Sequence, residues 1–254
     1  YDFTGENCHY GPSRNPHDPN RMTGGSSGGS GSATASGMVA FALGSDTNGS
    51  IRVPSSFCGL FGLKPTFGRL SRAGTFPFCA SLDHVGPLAR STADLALVYN
   101  VAQGHDPRDP VSTDRPPEPA SAAVARPHGD LRVSVASGYF QTLARPEVRA
   151  AVERVAKALK TKQAVEIPAI GQQTFVLDGK EVPVRANIGI FTQPFSFIGL
   201  PVVAVPIGCV SDMPVGVQII AAPWREEDAL SIAAILERDG IAESRIAEPE
   251  APDA

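Results

Sequence analysis

The eleven residues GSDTNGSIRVP at positions 44–54 place a serine, Ser50, directly after Thr47, Asn48 and Gly49. Small, turn-prone residues let successive backbone N–H groups face one way, so the loop that carries the serine can also hold an oxyanion. A plain turn has the same composition, and the stretch by itself leaves both readings open. Asp46 and Arg52 flank the serine. They either brace its loop as an ion pair or stand solvated at the surface.

Just upstream, GGSSGGSGS at 24–32 has the composition of a flexible linker. The apolar, Ala-rich ATASGMVAFAL at 33–43 follows at once and is expected to be helical, and a Gly-rich turn entering a helix N-terminus is a common anion-binding arrangement. This run adds Ser26, Ser27 and Ser30 to Ser50 as candidate nucleophiles. Gly25 to Gly29 also fits a G-x-S-x-G nucleophile elbow. An elbow needs a preceding strand and a downstream histidine, however. Residues 20–23 make a poor strand, and only His84, His105 and His128 follow.

Residues 44–78 are dense in Gly, Ser, Thr and Pro with apolar residues in nearly every gap, which predicts a buried irregular loop of function. Ser91 and Asp94 form a Ser-x-x-Asp helix start, Leu95, Val98, Val101 and Ala102 follow at helical spacing, and Gly104 closes the helix. The Pro-rich stretch 106–129 reads as an exposed connection. Leu131, Val133 and Val135 alternate as in a strand, and Pro146 opens a helix striped by Val148, Val152, Val155 and Leu159. LPVVAVPIG (200–208) and VGVQIIAA (215–222) read as strands, and 226–240 as an amphipathic helix with a fraying tail after it. The pattern is α/β, a mixed sheet covered by helices.

Composition narrows the function classes. The 254 residues are 42% hydrophobic and 19% charged, with 22 basic against 26 acidic side chains and a net charge of −4, which excludes a polyelectrolyte and argues against a nucleic-acid partner. No run approaches the roughly 18–20 apolar residues of a membrane-spanning helix. Cys8, Cys58, Cys79 and Cys209 are widely spaced, with no C-x-x-C pair and no metal-ligand spacing, as expected of thiols in a reducing cytoplasm. The opening YDFTGENCHYG begins with Tyr1 and has no signal-peptide pattern, so the chain is expected to start within a protein.

Taken together, GGSSGG, a short helix, D-T-x-G-S-I-R-x-P and then C-G-L-x-G-L-K-P-T form a long and specific string. It resembles the amidase signature family almost continuously over residues 1–105, and FIGLPVVAVPIG followed by MPVGVQIIAAPW resembles that family's C-terminal segment. YDFTGEN, LGSDTNGSIRVP with Asn48 where many members have Gly, and GQQTFVLDG are most similar to members that hydrolyse carboxybiuret in cyanuric acid breakdown.

The resemblance implies hydrolysis of amide or urea-type C–N bonds by a Ser–cis-Ser–Lys triad, without metal or other cofactor, on a carboxybiuret-, biuret- or allophanate-like substrate. By motif position Ser50 is the nucleophile and Ser26 the bridging serine, with a cis Gly25–Ser26 peptide. The N–H groups of Thr47, Asn48, Gly49 and Ser50 would hold the oxyanion, with Ser27, Asp46 and Arg52 in support. The implied partner is a small accessory subunit, and both homo- and hetero-oligomers fit.

Two departures from the family stand out. The family's catalytic lysine lies upstream of the serine loops, whereas the first lysine here is Lys64, at the position of a different family lysine; the general base is therefore unassigned. The pattern also joins abruptly near 160–167, where relatives carry a long helical stretch. The expectation is a partial amidase domain: a serine-loop core over 1–105, the connection 106–129 and an α/β part over 130–254. The alternative is a catalytically incomplete relative that serves as a scaffold subunit.

Overall fold

The computed structural model describes residues 2–125, 133, 146–159, 174–177, 180–183, 191–210 and 212–247. A short antiparallel ribbon, β1 (Arg14–Asn15) and β2 (Asp18–Met22), leads into α1 (Gly28–Ala35), β3 (Phe41–Asp46), α2 (Arg52–Phe57), β4 (Phe61–Lys64) and β5 (His84–Ala89). Then come α3 (Thr92–Ala102), the single turn α4 (Ser121–Val124), α5 (Pro146–Leu159) and the antiparallel pair β6 (Thr174–Leu177) and β7 (Lys180–Pro183). The chain continues through α6 (Gln193–Phe197), β8 (Val202–Val210), β9 (Met213–Ile220) and α7 (Glu226–Arg238).

The central sheet has the order β3-β5-β4-β8-β9, and each pairing is antiparallel. Strands from the serine-loop region and from the C-terminal region therefore share one ladder. Alternation along the strands sorts the side chains to two faces. Val203, Val205 and Ile207 of β8 and Val215, Val217 and Ile219 of β9 join Leu95 of α3 and Leu230 and Leu236 of α7 in the main core. On the opposite side Ala35, Ile51, Cys58, Leu60 and Leu88 make a second cluster with α1 and α2. Because both faces are covered, Val202–Ile207 is buried at each position and reads in sequence as an almost unbroken apolar run.

The helix predicted at Ser91 forms as read. The Ser91 side chain accepts from the Asp94 N–H at 3.0 Å and donates to the Asp94 carboxylate at 2.7 Å, closing the N-terminus of α3. The strands read from 200–208 and 215–222 become β8 and β9, and the Pro146 helix runs to Leu159 with Val155 buried. The strand expected over 131–135 lies outside the described residues except for Val133, which packs against the main core.

Other segments depart from the expectation. The helix predicted over 33–43 begins instead within the glycines and ends at Ala35, and Phe41–Asp46 is a strand. All six residues of β3 pair with β5, and serine hydroxyls from α1 and its cap meet the other edge. Ser27 Oγ bridges the Ser45 N–H and carbonyl, and Ser30 Oγ donates to the Leu43 carbonyl at 2.8 Å. A ladder with partners on both sides outweighs a local helical preference of a few tenths of a kcal/mol per residue.

The irregular loop expected over 44–78 contains the end of β3, all of α2 and all of β4. The connection after 106 is docked rather than exposed throughout: Asp109 is buried against Arg72, and α4 packs against α3 and α7. The tail is also tied down as far as residue 247, with Ala247 N–H donating to the Ala35 carbonyl at 3.1 Å and Glu243 N–H to the Pro206 carbonyl at 3.2 Å. The four cysteines are free thiols. Among the described residues, no helix is long and apolar enough to cross a membrane.

Candidate active site

Ser50 lies in the turn between β3 and α2, only 7% exposed. The turn is organised by Asp46, the last residue of β3, whose Oδ1 accepts from Gly49 N–H at 2.7 Å and whose Oδ2 accepts from Ile51 N–H at 3.2 Å and Arg52 N–H at 3.4 Å. One carboxylate thus satisfies donors that a helix start would otherwise leave open.

Arg52 returns along the same path. Its Nε donates to Asp46 Oδ2 at 3.0 Å and its Nη2 to Asp46 Oδ1 at 2.9 Å, and both side chains are fully buried. The remaining guanidinium donors go to the Thr192 carbonyl (2.9 Å), Gln218 Oε1 (3.0 Å) and Ser196 Oγ (2.7 Å). All five N–H groups of a guanidinium therefore have acceptors, the condition under which a buried arginine is tolerated. This excludes the surface alternative for the pair. Burial acts to raise the Asp46 pKa, but the Arg52 charge and hydrogen bonds outweigh it and hold the carboxyl well below the usual range.

The second serine loop is joined to the first by packing and by one hydroxyl. The Gly25–Ser26 peptide is cis. A Cβ on Gly25 would collide with the Asp2 carbonyl and lie 2.7 Å from Gly5 N, so the N-terminal segment presses directly on this loop. Ser27 Oγ donates to the Ser45 carbonyl and accepts from Ser45 N–H, both at 3.1 Å, and α1 lies against Pro54 and Cys58 through Gly31.

Gly49 has a φ of +135°, and a Cβ there would run into Thr192. Its N–H belongs to Asp46. The N–H groups of Thr47, Asn48 and Ser50 donate to no protein acceptor among the described residues. Neither the Ser26 nor the Ser50 hydroxyl hydrogen-bonds to a described residue, so both are available to a substrate but are not linked to each other by a direct bond. Asn48 gives its carbonyl to Thr192 Oγ1, while its buried Oδ1 has no partner among the described residues.

Several residues around the turn carry no motif. Thr192, Ser196 and Gln218 lie 140 or more residues away from Arg52 along the chain, and no local pattern marks them. Lys64 is fully buried. Its Nζ donates to the Leu200 carbonyl, to the Pro65 carbonyl at 3.3 Å and to His84 Nε2 at 3.2 Å. Burial, assisted by the Arg52 charge, pushes Lys64 down to about 7, and burial with the Lys64 charge pushes His84 down to about 4. His84 is thus committed to Lys64 and to carbonyls and does not serve an elbow at Ser27. No group of three or more His, Cys, Asp or Glu among the described residues could hold a metal.

A family model described as Amidase matches residues 1–178. AtzE, a component of the 1-carboxybiuret hydrolase of Pseudomonas sp. (strain ADP), is 38% identical over 329 aligned positions, covering 95% of this chain and 72% of that protein. A glutamyl-tRNA(Gln) amidotransferase subunit of Synechococcus sp. (strain RCC307) is 49% identical over 61% of this chain but only 32% of its own length.

Among solved structures, a vestigial protein complex bearing on the origins of an s-triazine catabolic enzyme superposes with a TM-score of 0.93 at 38% identity, covering 96% of this chain and 73% of its own. The corresponding glutamyl-tRNA(Gln) amidotransferase subunit of Thermotoga maritima superposes with a TM-score of 0.82 at 25% identity, over 95% of this chain and 72% of its own.

Proposed function

The chain belongs to the amidase family, hydrolases of carbon–nitrogen bonds other than peptide bonds, and from that premise we propose that Ser50 is its nucleophile. Ser50 Oγ attacks the carbonyl carbon of a small amide or urea-type substrate; its proton passes to Ser26 Oγ as the Ser26 proton goes to a general base that no described residue supplies. The tetrahedral oxyanion is held by the N–H groups of Thr47, Asn48 and Ser50, with Gly49 shaping the turn. Collapse breaks the C–N bond, the leaving nitrogen takes the proton back through Ser26, and water then hydrolyses the Ser50 ester. Ser27, Asp46 and Arg52 hold the two loops in place.

The observation that carries this reading is the Asp46 carboxylate, which organises the Ser50 turn while three N–H groups of that turn find no acceptor among the described residues. A carboxybiuret-, biuret- or allophanate-like substrate, and partnership with a small accessory subunit, are proposed from the likeness to the carboxybiuret hydrolase component. The chain is proposed to be part of one amidase domain, with 1–105 as its serine-loop core.

A scaffold role is favoured by one observation: among the described residues, no lysine hydrogen-bonds to Ser26 or Ser50. Treating the full-length protein with a fluorophosphonate, alongside turnover of urea, biuret, allophanate and simple amides, separates the two. Labelling at Ser50 that is lost in Ser50→Ala together with turnover supports the enzyme. A folded protein with neither is the scaffold.

A further inference from the structure

Two consecutive residues at the start of β5 grip two consecutive residues of the Ser50 turn. Asp83 Oδ1 accepts from the Thr47 hydroxyl, and Asp83 Oδ2 accepts from the N–H groups of Phe78 and Cys79, both at 2.8 Å. His84 Nδ1 faces the Asp46 carbonyl at 3.0 Å and the Leu82 carbonyl at 2.6 Å. Since both partners only accept, Nδ1 carries the proton and Nε2 presents its lone pair to Lys64 Nζ. The ladder sets this up, because Asp46 and His84 are direct partners across β3 and β5.

The far end of the same segment is also anchored. Arg72 donates to Asp109 through Nε at 3.1 Å and Nη2 at 2.9 Å, and its Nη1 reaches the Ala80 carbonyl at 2.6 Å. Residues 72–83 therefore form a strap fixed at Asp109 on one side and at Thr47 on the other. Phe76 and Phe78 stand largely exposed on it.

We propose that Asp83 is a positioning residue for the Ser50 turn: its carboxylate clamps Thr47 by the hydroxyl and ties the strap to the side of the turn that would face the oxyanion. A carboxylate suits the task because its two oxygens serve three donors from two segments. An amide in its place keeps its oxygen for the Phe78 and Cys79 N–H groups and turns its NH2 toward Thr47, so the clamp loses the charged acceptor of the Thr47 hydroxyl proton. Displacement of Thr47 rotates its own N–H, and a donor misplaced by a fraction of an ångström loses much of its effect on a developing oxyanion. The inference rests on the reading of Ser50 as nucleophile.

The test uses the full-length protein and a fluorophosphonate probe, comparing the rate of Ser50 labelling in the unaltered chain, Asp83→Asn, Thr47→Val, Thr47→Ser and the Asp83→Asn/Thr47→Val pair. Amide exchange over 46–50 and 76–80 is followed alongside. Each of Asp83→Asn and Thr47→Val is expected to slow labelling about tenfold, and the pair no further than the worse single change, because both remove one interaction. Thr47→Ser, which keeps a hydroxyl for Asp83, should be slowed less than Thr47→Val, and exchange in both segments should rise in Asp83→Asn.

Labelling of Asp83→Asn at the unaltered rate, or effects of the two changes that multiply, overturns the proposal. If the unaltered protein is not labelled at Ser50, the functional reading fails on its own. The exchange data then decide the coupling: a rise confined to 76–80 reduces Asp83 to a turn cap.

Discussion

One hydroxyl, Ser27 Oγ, pairs with both backbone groups of Ser45, donating to the carbonyl and accepting from the N–H at 3.1 Å each. It replaces a neighbouring strand at the open edge of β3 and fixes the Gly-rich loop relative to the Ser50 turn five residues on. Replacing Ser27 with Ala leaves the Ser45 groups to be satisfied by water and is expected to cost about 1–2 kcal/mol. Ser50→Ala touches no such bond and should stay within about 0.5 kcal/mol of the parent. Urea denaturation of the two variants checks the ordering; equal midpoints would remove the bridging role.

Arg52→Ala strands the Asp46 carboxylate in a buried site, and the expected loss is about 3–5 kcal/mol. Arg52→Lys keeps the charge but cannot reach Asp46, Thr192, Ser196 and Gln218 together, so it should fall between parent and Ala. Thermal melts decide this: an Arg52→Ala midpoint level with the parent means that the pair does not brace the turn.

Gly49→Ala meets two obstacles, the φ of +135° and the Thr192 side chain. Trimming Thr192 to Gly in the same chain removes the contact but leaves the backbone conformation, which costs about 1–3 kcal/mol for a residue with a Cβ. Reactivity of Ser50 toward fluorophosphonate is therefore expected to be lost in Gly49→Ala and not restored in the double variant. Restoration would assign the whole effect to the side-chain contact.

Stability should fall on mild acidification because of His84. Its pKa goes from 6.5 to about 4 on folding, so between these values the unfolded chain binds more protons, and stability present above pH 6.5 is lost as pH falls through about 4. The full shift corresponds to at most about 3 kcal/mol. Lys64, lowered from 10.5 to about 7, acts in the same sense at higher pH, adding stability as pH rises from about 7 toward 10.5. Urea midpoints from pH 4.5 to 9 in the parent and in His84→Gln test this; an unchanged acid limb in His84→Gln would locate the titration elsewhere.

Local chemistry made parts of this molecule readable in advance. The Ser91 cap depends on Asp94 three residues away, and β8 and β9 are short apolar runs between turn residues, so a window of ten residues contains their cause. The stretch 33–43 misled because its Ala-rich composition favours a helix, while the pairing of Phe41–Asp46 with β5 and the Ser27 and Ser30 hydroxyls come from outside that window. The tail after Gly240 looked free to fray for the same reason, as its contacts at Ala35 and Pro206 are remote in sequence.

From sequence alone come the two serine loops, their order, the family they belong to and the pairing of Asp46 with Arg52 as one open possibility. Those features rest on residues within a few positions of one another, where spacing and turn chemistry leave few alternatives. That the pair is buried, that Thr192, Ser196 and Gln218 complete the arginine's shell, and that Asp83 and His84 hold Thr47 and Asp46 became determinate only in three dimensions. The physical reason is that a buried charge must find every one of its acceptors within about 3 Å, and only the folded chain brings residues 46, 192, 196 and 218 to that distance from Arg52.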